Sequence, residues 1–177
     1  MMPGQGLLIV FTGDGKGKTT AALGVALRAL GHGLKVLMIQ FIKGPWASGE
    51  LGAATRFGDS FQIRPMGGGF VNTGPGGPDP ADLAKAQQAW QAAEEAMQAG
   101  KYDILILDEI NNAVDYGLLP LEQVLEAIRK RPEKLHVICT GRNAAARLIE
   151  AADLVTEMKE IKHPFTSGRR AEKGIDF

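Results

Sequence analysis

The sequence predicts an α/β fold in which helices cover both faces of a mainly parallel β-sheet of five or six strands. Short apolar runs recur along the chain, a pattern typical of strands buried on both faces. Segments with helical periodicity lie between these runs, and strands that alternate with helices favour parallel pairing. The 177 residues contain no internal repeat and no linker, so one domain is predicted over 1–177.

The predicted elements follow one another with short connections. Strands are predicted over residues 7–11, 36–39, 61–63, 104–107, 136–139 and 154–158, and helices over 18–30, 50–56, 80–99, 120–130 and 143–152. Asp79-Pro80 supplies an N-cap followed by proline at the first helical position, and Gly100 ends that helix. Runs 7–11 and 104–107 are expected to be interior strands, so the residues that follow them should meet at one edge of the sheet.

Composition and charge exclude several classes of protein. Hydrophobic residues make up 45% of the chain, which is enough for a packed core. A net charge of +0 argues against a nucleic-acid binder. No apolar run reaches the roughly 18–20 residues of a membrane span, and the first six residues lack signal-peptide features, so a cytoplasmic protein is expected. The single cysteine, Cys139, lies in an apolar run and is expected to be a buried thiol.

A glycine-rich turn joins the first predicted strand to the first predicted helix. It reads Thr12-Gly13-Asp14-Gly15-Lys16-Gly17-Lys18-Thr19-Thr20. Glycines let backbone N–H groups curl around phosphate oxygens, and the helix N-terminus that follows attracts anions. Lys18 can reach the outer phosphates, and the Thr19 hydroxyl can bind Mg²⁺. The strict pattern has glycine where Thr12 stands, but the flanking strand and helix favour a P-loop that binds a nucleoside triphosphate over an ordinary tight turn.

A pair of acids, Asp108-Glu109, ends the apolar run 104–107. In P-loop proteins an acid at this place lies beside the Mg²⁺, although the pair could instead start a helix at Ile110. The residues leave the chemistry open. A hydrolysing ATPase would use the glutamate as a base for water, and a small-molecule kinase is equally compatible. The candidate catalytic arginines are Arg28, Arg142, Arg147, Arg169 and Arg170.

Several segments together are similar to one family of P-loop enzymes. They are the turn 13–20, Gln40-Phe41-Ile42-Lys43-Gly44 with Trp46 and Glu50, Leu107-Asp108-Glu109, Leu119-Pro120-Leu121, Thr140-Gly141-Arg142, Lys162-His163 with Gly168, and the ending Gly174-Ile175-Asp176-Phe177. Over residues 6–177 the chain resembles the ATP:corrinoid adenosyltransferases of cobalamin biosynthesis and salvage. The segment 40–44 and the C-terminal ending make the likeness specific. It implies a three-layer P-loop NTPase-like fold of the RecA type.

The resemblance implies an unusual use of ATP. Co(I) of a reduced corrinoid (cobalamin, cobinamide or cobyrinic acid a,c-diamide) would attack the 5′ carbon of ATP, and triphosphate would leave intact. ATP is expected to lie reversed relative to other P-loop enzymes, with its γ-phosphate deep in the loop. Because the metal is the nucleophile, no proton has to be removed and a general base contributes nothing.

Site residues follow from the same resemblance. The expected ATP-binding residues are Gly13, Asp14, Gly15, Lys16, Gly17, Lys18, Thr19 and Thr20, with Arg142 as a further candidate. Thr19 and Glu109 are expected to bind Mg²⁺, with Asp108 behind them. Lys18, Thr19 and Glu109 are the expected catalytic residues. His163 is a candidate substrate contact.

A second glycine-rich segment, residues 65–78, is expected to border the corrinoid. In the family it carries a Gly-Phe-Thr-Trp pattern whose aromatic rings help displace the lower axial ligand of cobalt. Phe70 matches that pattern, whereas Asn72 stands where tryptophan is expected. Phe70 and Asn72 are therefore the candidate corrinoid contacts, and the departure at Asn72 affects either this displacement or the choice of corrinoid.

Partners and rival functions complete the set of expectations. The resemblance implies a homodimer, a reductant protein such as a flavodoxin, and an N-terminal extension over the active site, for which this sequence has no counterpart before residue 6. A phosphoryl-transferring ATPase or kinase, and a nucleotide-binding module without turnover, stay open on the residues alone. The phosphate product separates them: triphosphate indicates adenosyl transfer, ADP indicates phosphoryl chemistry, and no product indicates binding only.

Overall fold

The computed structural model describes residues 4–44, 46, 48–69, 71, 74 and 76–175. Within them, six strands form one parallel sheet with helices on both faces, which confirms the predicted α/β fold class. The strands are β1 (Leu8–Thr12), β2 (Val36–Gln40), β3 (Phe61–Pro65), β4 (Ile104–Asp108), β5 (His136–Thr140) and β6 (Leu154–Glu157). The helices are α1 (Lys18–Gly31), α2 (Gly49–Ala54), α3 (Pro80–Gln98), α4 (Ile110–Asp115), α5 (Leu121–Arg129) and α6 (Ala146–Ala151).

The order of the strands places the two sequence motifs at one edge of the sheet. That order is β3-β2-β4-β5-β1-β6, so β1 and β4 are both interior strands, as predicted, with β5 between them. One strand thus separates the turn-bearing strand from the acid-bearing strand, an order consistent with a P-loop NTPase-like fold. Since the strands are parallel, the turn after β1 and the acid pair at the end of β4 emerge on the same side.

Alternate strand residues build two cores, one on each face of the sheet. Leu8 and Val10 of β1 face α3, α4, α5 and α6, whereas Ile9 and Phe11 face α1 and α2. All five residues of β1, β2 and β4 are buried, which explains their continuous apolar sequence. Cys139 of β5 is fully buried in the first core, as predicted, and burial raises the pKa of its thiol to about 12.

Helix α3 shows how local sequence fixes an element. Asp79 accepts a hydrogen bond from the N–H of Ala81 at 2.7 Å and Pro80 occupies the first turn, which confirms the predicted start. Small residues and Trp90 line its buried face. Across the described part of the chain, no helix combines the length and the apolar character that crossing a membrane would need.

The helix predicted over 143–152 begins later, at Ala146. Asn143 adopts a left-handed backbone conformation with φ 51°, and this conformation is incompatible with a right-handed helix. The N–H of Ala144 donates to Thr12 Oγ1 at 3.2 Å, which ties this segment to the end of β1. Contacts with β1 and with the end of α4 therefore override the helical tendency of this segment.

Two further differences concern short helices. The helix predicted over 50–56 divides into α2 and a 3₁₀ segment, Thr55–Ser60, in which Gly58 has φ 53°. Helix α4 was not predicted, because six residues are too few for an apolar period to be recognised. It follows the acid pair directly, so the rival interpretation of those acids as a helix start is also structurally correct.

Candidate functional site

Four polar residues end four neighbouring strands and are nearly inaccessible to water. Thr12, Gln40, Asp108 and Thr140 close β1, β2, β4 and β5 and are 7%, 1%, 0% and 0% exposed. The register brings these strand ends to one edge of the sheet: Gln40 is paired with Asp108, and Thr140 with Phe11, the residue before Thr12. Buried polar groups are costly unless they are hydrogen-bonded, so this row of strand ends marks a built site.

The glycine-rich turn is locked against the chain that follows β6. Gly13 has φ 94° and Gly17, the N-cap of α1, has φ 116°, conformations that favour glycine. A Cβ on Gly13 would lie 2.4 Å from the carbonyl oxygen of Met158. The N–H of Gly15 donates to that same oxygen at 2.7 Å, and the N–H of Met158 donates to the carbonyl of Thr12 at 2.8 Å.

Lys18 lies inside the turn. Its Nζ donates to the carbonyl oxygens of Gly13 and Gly15, both at 2.8 Å. Burial lowers the pKa of Lys18; the nearby Glu109 carboxylate opposes this and the Arg142 guanidinium adds to it. An ammonium group surrounded by carbonyl oxygens occupies a place where phosphate oxygens can take over the same bonds.

Asp108 organises the acid side of the site. Its Oδ1 accepts hydrogen bonds from Thr19 Oγ1 at 2.8 Å and from Thr140 Oγ1 at 2.7 Å, and its Oδ2 accepts one from Gln40 Nε2 at 3.2 Å. Burial raises the pKa of Asp108, while the three hydrogen bonds act in the opposite direction. The contact with Thr19 fulfils the expectation that the P-loop hydroxyl and the acid pair meet.

Glu109 lies beside it in an uncommon backbone conformation. Its φ of 63° is left-handed, and its N–H donates to Thr140 Oγ1 at 2.9 Å. Burial, and then the charge of Asp108, raise the pKa of Glu109 to about 7, against the opposing effect of Lys18 and Arg142. The side chain borders the open cleft beside the P-loop, so an incoming cation can reach it.

Two clefts open on either side of Lys18. The larger, about 550 Å³, has a polar end at the P-loop and Glu109 and an apolar end between α1 and the segment 53–61. Its apolar lining comprises Leu23, Leu27, Leu30, Ala53, Phe57, Phe61 and Ile175. The smaller, about 340 Å³, is lined by Asp14, Gly15, Lys16, Arg142, Glu160, His163, Phe165 and Thr166. Together they give room for a charged ligand that extends past the lysine into apolar surroundings.

An ion pair connects the segment after β2 to Glu50 of α2. Lys43 Nζ lies 2.5 Å from Glu50 Oε1, and both residues line the larger cleft. Although burial opposes it, the hydrogen bond from Lys43 holds the pKa of Glu50 below its usual value. Gln40 Nε2 also points to Glu50 Oε1 at 3.5 Å, so one amide lies between Glu50 and Asp108.

The oxygen atoms at this edge suit a magnesium ion that arrives with a nucleotide. Among the described residues, no group of three or more His, Cys, Asp or Glu side chains could hold a metal by itself. Mg²⁺ usually binds proteins through one or two carboxylates and completes its shell with substrate phosphates and water. Thr19 and Glu109, with Asp108 bonded to the Thr19 hydroxyl, provide that donor set beside the P-loop.

The structure brings together most of the site residues that the sequence predicts. Asp108 accepts a hydrogen bond from Thr19, and Glu109 and the residues from Lys16 to Thr20 line the larger cleft. Of the five candidate arginines, Arg142 lines the smaller cleft, together with His163. By contrast, Arg147 pairs with Glu122 and Arg169 with Glu172 at the surface. Phe70 and Asn72, which the resemblance suggests as corrinoid contacts, lie outside the described residues.

Sequence reasoning assigned no individual role to several residues that hold the site in place. Gln40 and Thr140 bond Asp108, Asn112 Oδ1 accepts from the N–H of Arg142 at 2.8 Å, and Lys43 pairs with Glu50. A usable signal was present for the first two. Each is a polar residue directly after an apolar run, and parallel strands bring such positions to one edge.

The fold and this site define a P-loop nucleotide-binding protein. Its residues 4–177 match the model of the family described as ATP:corrinoid adenosyltransferase BtuR/CobO/CobP. The chain is 43% identical to a corrinoid adenosyltransferase of Pseudomonas aeruginosa over 98% of its own length and 84% of the relative. The same identity relates it to the corrinoid adenosyltransferase of Escherichia coli K12, over 98% and 86%, and 42% identity to that of Salmonella typhimurium, also over 98% and 86%. The chain therefore belongs to the ATP:corrinoid adenosyltransferase family.

Proposed function

We propose that this enzyme transfers the 5′-deoxyadenosyl group of ATP to the Co(I) centre of a reduced corrinoid and releases triphosphate. The observation that carries the proposal is the meeting of Thr19 and the Asp108-Glu109 pair beside a P-loop, in a chain that matches the family over residues 4–177. The product belongs to adenosylcobalamin biosynthesis or salvage. The larger cleft, polar at the P-loop and apolar beyond it, suits a triphosphate that carries a bulky, less polar group.

The bonds that form and break in this reaction explain which side chains the site needs. A lone pair on cobalt forms the bond to C5′, and the C5′–O bond breaks with its electrons leaving on triphosphate. No proton is transferred in this step, so the protein has to position the reactants and stabilise the departing charge. A site with a buried lysine and backbone donors around an anion is built for that work, whereas a general base has nothing to remove.

The phosphate chain is assigned to the turn and its cations. Lys18 exchanges its two carbonyl partners for phosphate oxygens, and the N-terminus of α1 adds favourable backbone dipoles. Arg142 and Lys16 border the smaller cleft on the other side of Lys18, where they can meet the ends of the chain of phosphates. Lys18, Arg142 and Lys16 would then stabilise the negative charge that builds up on the triphosphate as it leaves.

Mg²⁺ would be held by Thr19 and Glu109 together with the nucleotide, and it would supply positive charge to the leaving triphosphate. Asp108 is assigned a different task, because its two oxygens already accept three hydrogen bonds from protein groups. By accepting a hydrogen bond from the Thr19 hydroxyl, it leaves the lone pairs of that oxygen turned away from the carboxylate. Glu109 borders the cleft and is the carboxylate available for direct contact.

The corrinoid contacts and the partners rest on the resemblance. Phe70 and Asn72 remain the proposed contacts with the corrinoid, in the segment that connects β3 to α3. A homodimer, a reductant such as a flavodoxin and a cytoplasmic location are proposed on the same ground. Preference among cobalamin, cobinamide and cobyrinic acid a,c-diamide is then a property of that segment.

The phosphate product tests the function directly. Wild-type protein, Mg²⁺, ATP and a chemically reduced corrinoid should give triphosphate and an adenosylated corrinoid in equal amounts, measured by ³¹P NMR and by the corrinoid absorption spectrum. The folded Lys18→Ala variant should lose nearly all turnover, because each charge-assisted hydrogen bond contributes roughly 1.5–3 kcal/mol. ADP as the main product would instead establish a phosphoryl-transferring ATPase or kinase. Unchanged ATP would indicate a nucleotide-binding module without turnover.

A further inference from the structure

Thr140 uses one hydroxyl group to connect both acids of the site. Its Oγ1 donates to Asp108 Oδ1 at 2.7 Å and accepts from the N–H of Glu109 at 2.9 Å. The residue ends β5, the strand between the P-loop strand and the acid strand, and it is 0% exposed. It lines neither of the two clefts, so its contacts are with the acids and not with a ligand.

The backbone of Glu109 needs such a partner. Left-handed residues other than glycine are uncommon and persist only where the surroundings enforce them. Glu109 is the N-cap of α4, and among the described residues its own side chain finds no backbone N–H to cap. The bond from its N–H to Thr140 Oγ1 is a contact from the neighbouring strand that supports this conformation.

The Thr140 hydroxyl and the Thr19 hydroxyl of the P-loop donate to the same carboxylate oxygen. Thr19 Oγ1 and Thr140 Oγ1 approach the same oxygen of Asp108, at 2.8 and 2.7 Å. Two hydroxyls on one carboxylate oxygen constrain its position from opposite neighbouring elements, α1 and β5. A change at Thr140 can thus alter the orientation of the Thr19 hydroxyl without touching the P-loop.

We propose that Thr140 is a positioning residue for the metal–nucleotide site: its hydroxyl holds Asp108 against Thr19 and keeps Glu109 in the left-handed conformation that directs its carboxylate to the cleft. The inference rests on the proposed function only in taking the ligand to be ATP with Mg²⁺. It assigns Thr140 no contact with substrate. Its consequence is that loss of the hydroxyl weakens binding that depends on the metal and spares binding that does not.

The test compares Thr140→Val, which removes the hydroxyl at nearly constant shape, with Thr140→Ser, which retains it. Calorimetry measures ATP affinity in Mg²⁺ and again in EDTA, and Mn²⁺ EPR measures occupancy of the metal in the ATP complex. Loss of a group that orients metal ligands typically weakens metal affinity about 10–100-fold. We expect Thr140→Val to weaken Mg²⁺-dependent ATP binding by about tenfold or more, Thr140→Ser by less than about threefold, and both to match wild type in EDTA.

Controls make each outcome decisive. Thr156→Val changes a hydroxyl to a methyl group on β6, away from the acids, and should match wild type in every assay. If Thr140→Val does not fold, Thr140→Cys replaces it, because a thiol is a weak hydrogen-bonding group. Equal losses in Mg²⁺ and EDTA, or equal losses for the serine and valine variants, would overturn the positioning role. Because binding is measured without turnover, the result is independent of whether the product is triphosphate or ADP.

Discussion

At the scale of single residues, folding has placed two adjacent carboxyl groups where water is scarce. Asp108 is fully buried and bonded by three neutral donors, and Glu109 beside it has a pKa of about 7 because of burial and the charge of its neighbour. This arrangement is unfavourable for the empty protein and favourable for a cation that would neutralise both acids. Site residues of this kind commonly reduce stability in exchange for function.

Glu109→Gln should therefore stabilise the ligand-free protein at high pH. Between the unfolded pKa of 4.5 and the folded pKa of about 7, the native state binds more protons than the unfolded state, so stability falls as pH rises through this window. Glutamine removes that loss. Urea denaturation without metal or nucleotide should show a gain at pH 8 of up to about 3 kcal/mol and a much smaller gain at pH 5.

The same variant should bind Mg²⁺–ATP more weakly, since glutamine lacks the negative charge, and raised Mg²⁺ should partly restore activity. Glu150→Gln, on the exposed face of α6, controls for the removal of one acidic charge. A Glu109→Gln gain in stability that is the same at pH 5 and pH 8 would contradict the raised pKa. Unchanged dependence on Mg²⁺ would remove Glu109 from the metal site.

At the scale of elements, the P-loop owes its shape to a segment more than 140 residues later in the chain. The carbonyl of Met158 bonds the N–H of Gly15, and a Cβ on Gly13 would lie 2.4 Å from that carbonyl oxygen. The glycines are thus required both by their φ angles and by the close approach of the chain after β6. The P-loop is a part of the sheet edge and not an independent turn.

Gly13→Ala should consequently destabilise the protein and weaken ATP binding together. A left-handed conformation costs a residue with a Cβ about 1–3 kcal/mol, and the contact with Met158 adds to it. Gly24→Ala is the matched control, because a Cβ there meets no atom within 4 Å and alanine favours a helix interior by about 0.5–1 kcal/mol. Urea denaturation should show changes of opposite sign; a Gly13→Ala variant as stable as Gly24→Ala would contradict this account.

At the scale of the whole molecule, stability comes from two cores that share one sheet. The larger core packs β-strand residues against α3, α4, α5 and α6, and Trp90 of α3 is fully buried in it, 6.4 Å from Phe41 by ring centroids. This agrees with the expectation that Trp90 serves packing and not substrate. Phe41 follows β2 directly, so the core reaches the segment that carries Lys43 and Glu50.

Trp90→Ala should therefore lower the free energy of unfolding by about 3–5 kcal/mol, the usual cost of truncating a buried aromatic residue. Trp90→Phe should cost much less, because it keeps most of the ring. It also removes an indole N–H for which the described residues provide no hydrogen-bond acceptor. Denaturation curves of the two variants give the comparison, and a Trp90→Ala cost below about 1 kcal/mol would exclude a central role in the core.

The amino-acid sequence by itself determined the features that depend on residues close together in the chain. The apolar runs marked all six strands to within two residues, and Asp79-Pro80 marked the start of α3. The P-loop was readable because its glycines, Lys18 and Thr19 are close together in the chain, and Asp108-Glu109 because it ends an apolar strand. The resemblance to the adenosyltransferases was likewise carried by contiguous segments, and the family match bears it out.

Only the tertiary structure decided how those pieces are connected. The bonds from Thr19 and Thr140 to Asp108 join residues 89 and 32 positions apart, and no local pattern specifies such partners. The raised pKa of Glu109 likewise depends on burial by other elements. Asn143 lies outside the helix predicted for it because it adopts a left-handed conformation and donates to Asp115 at the end of α4. Strand register and packing set these distances, because they are properties of the folded sheet and not of any one segment.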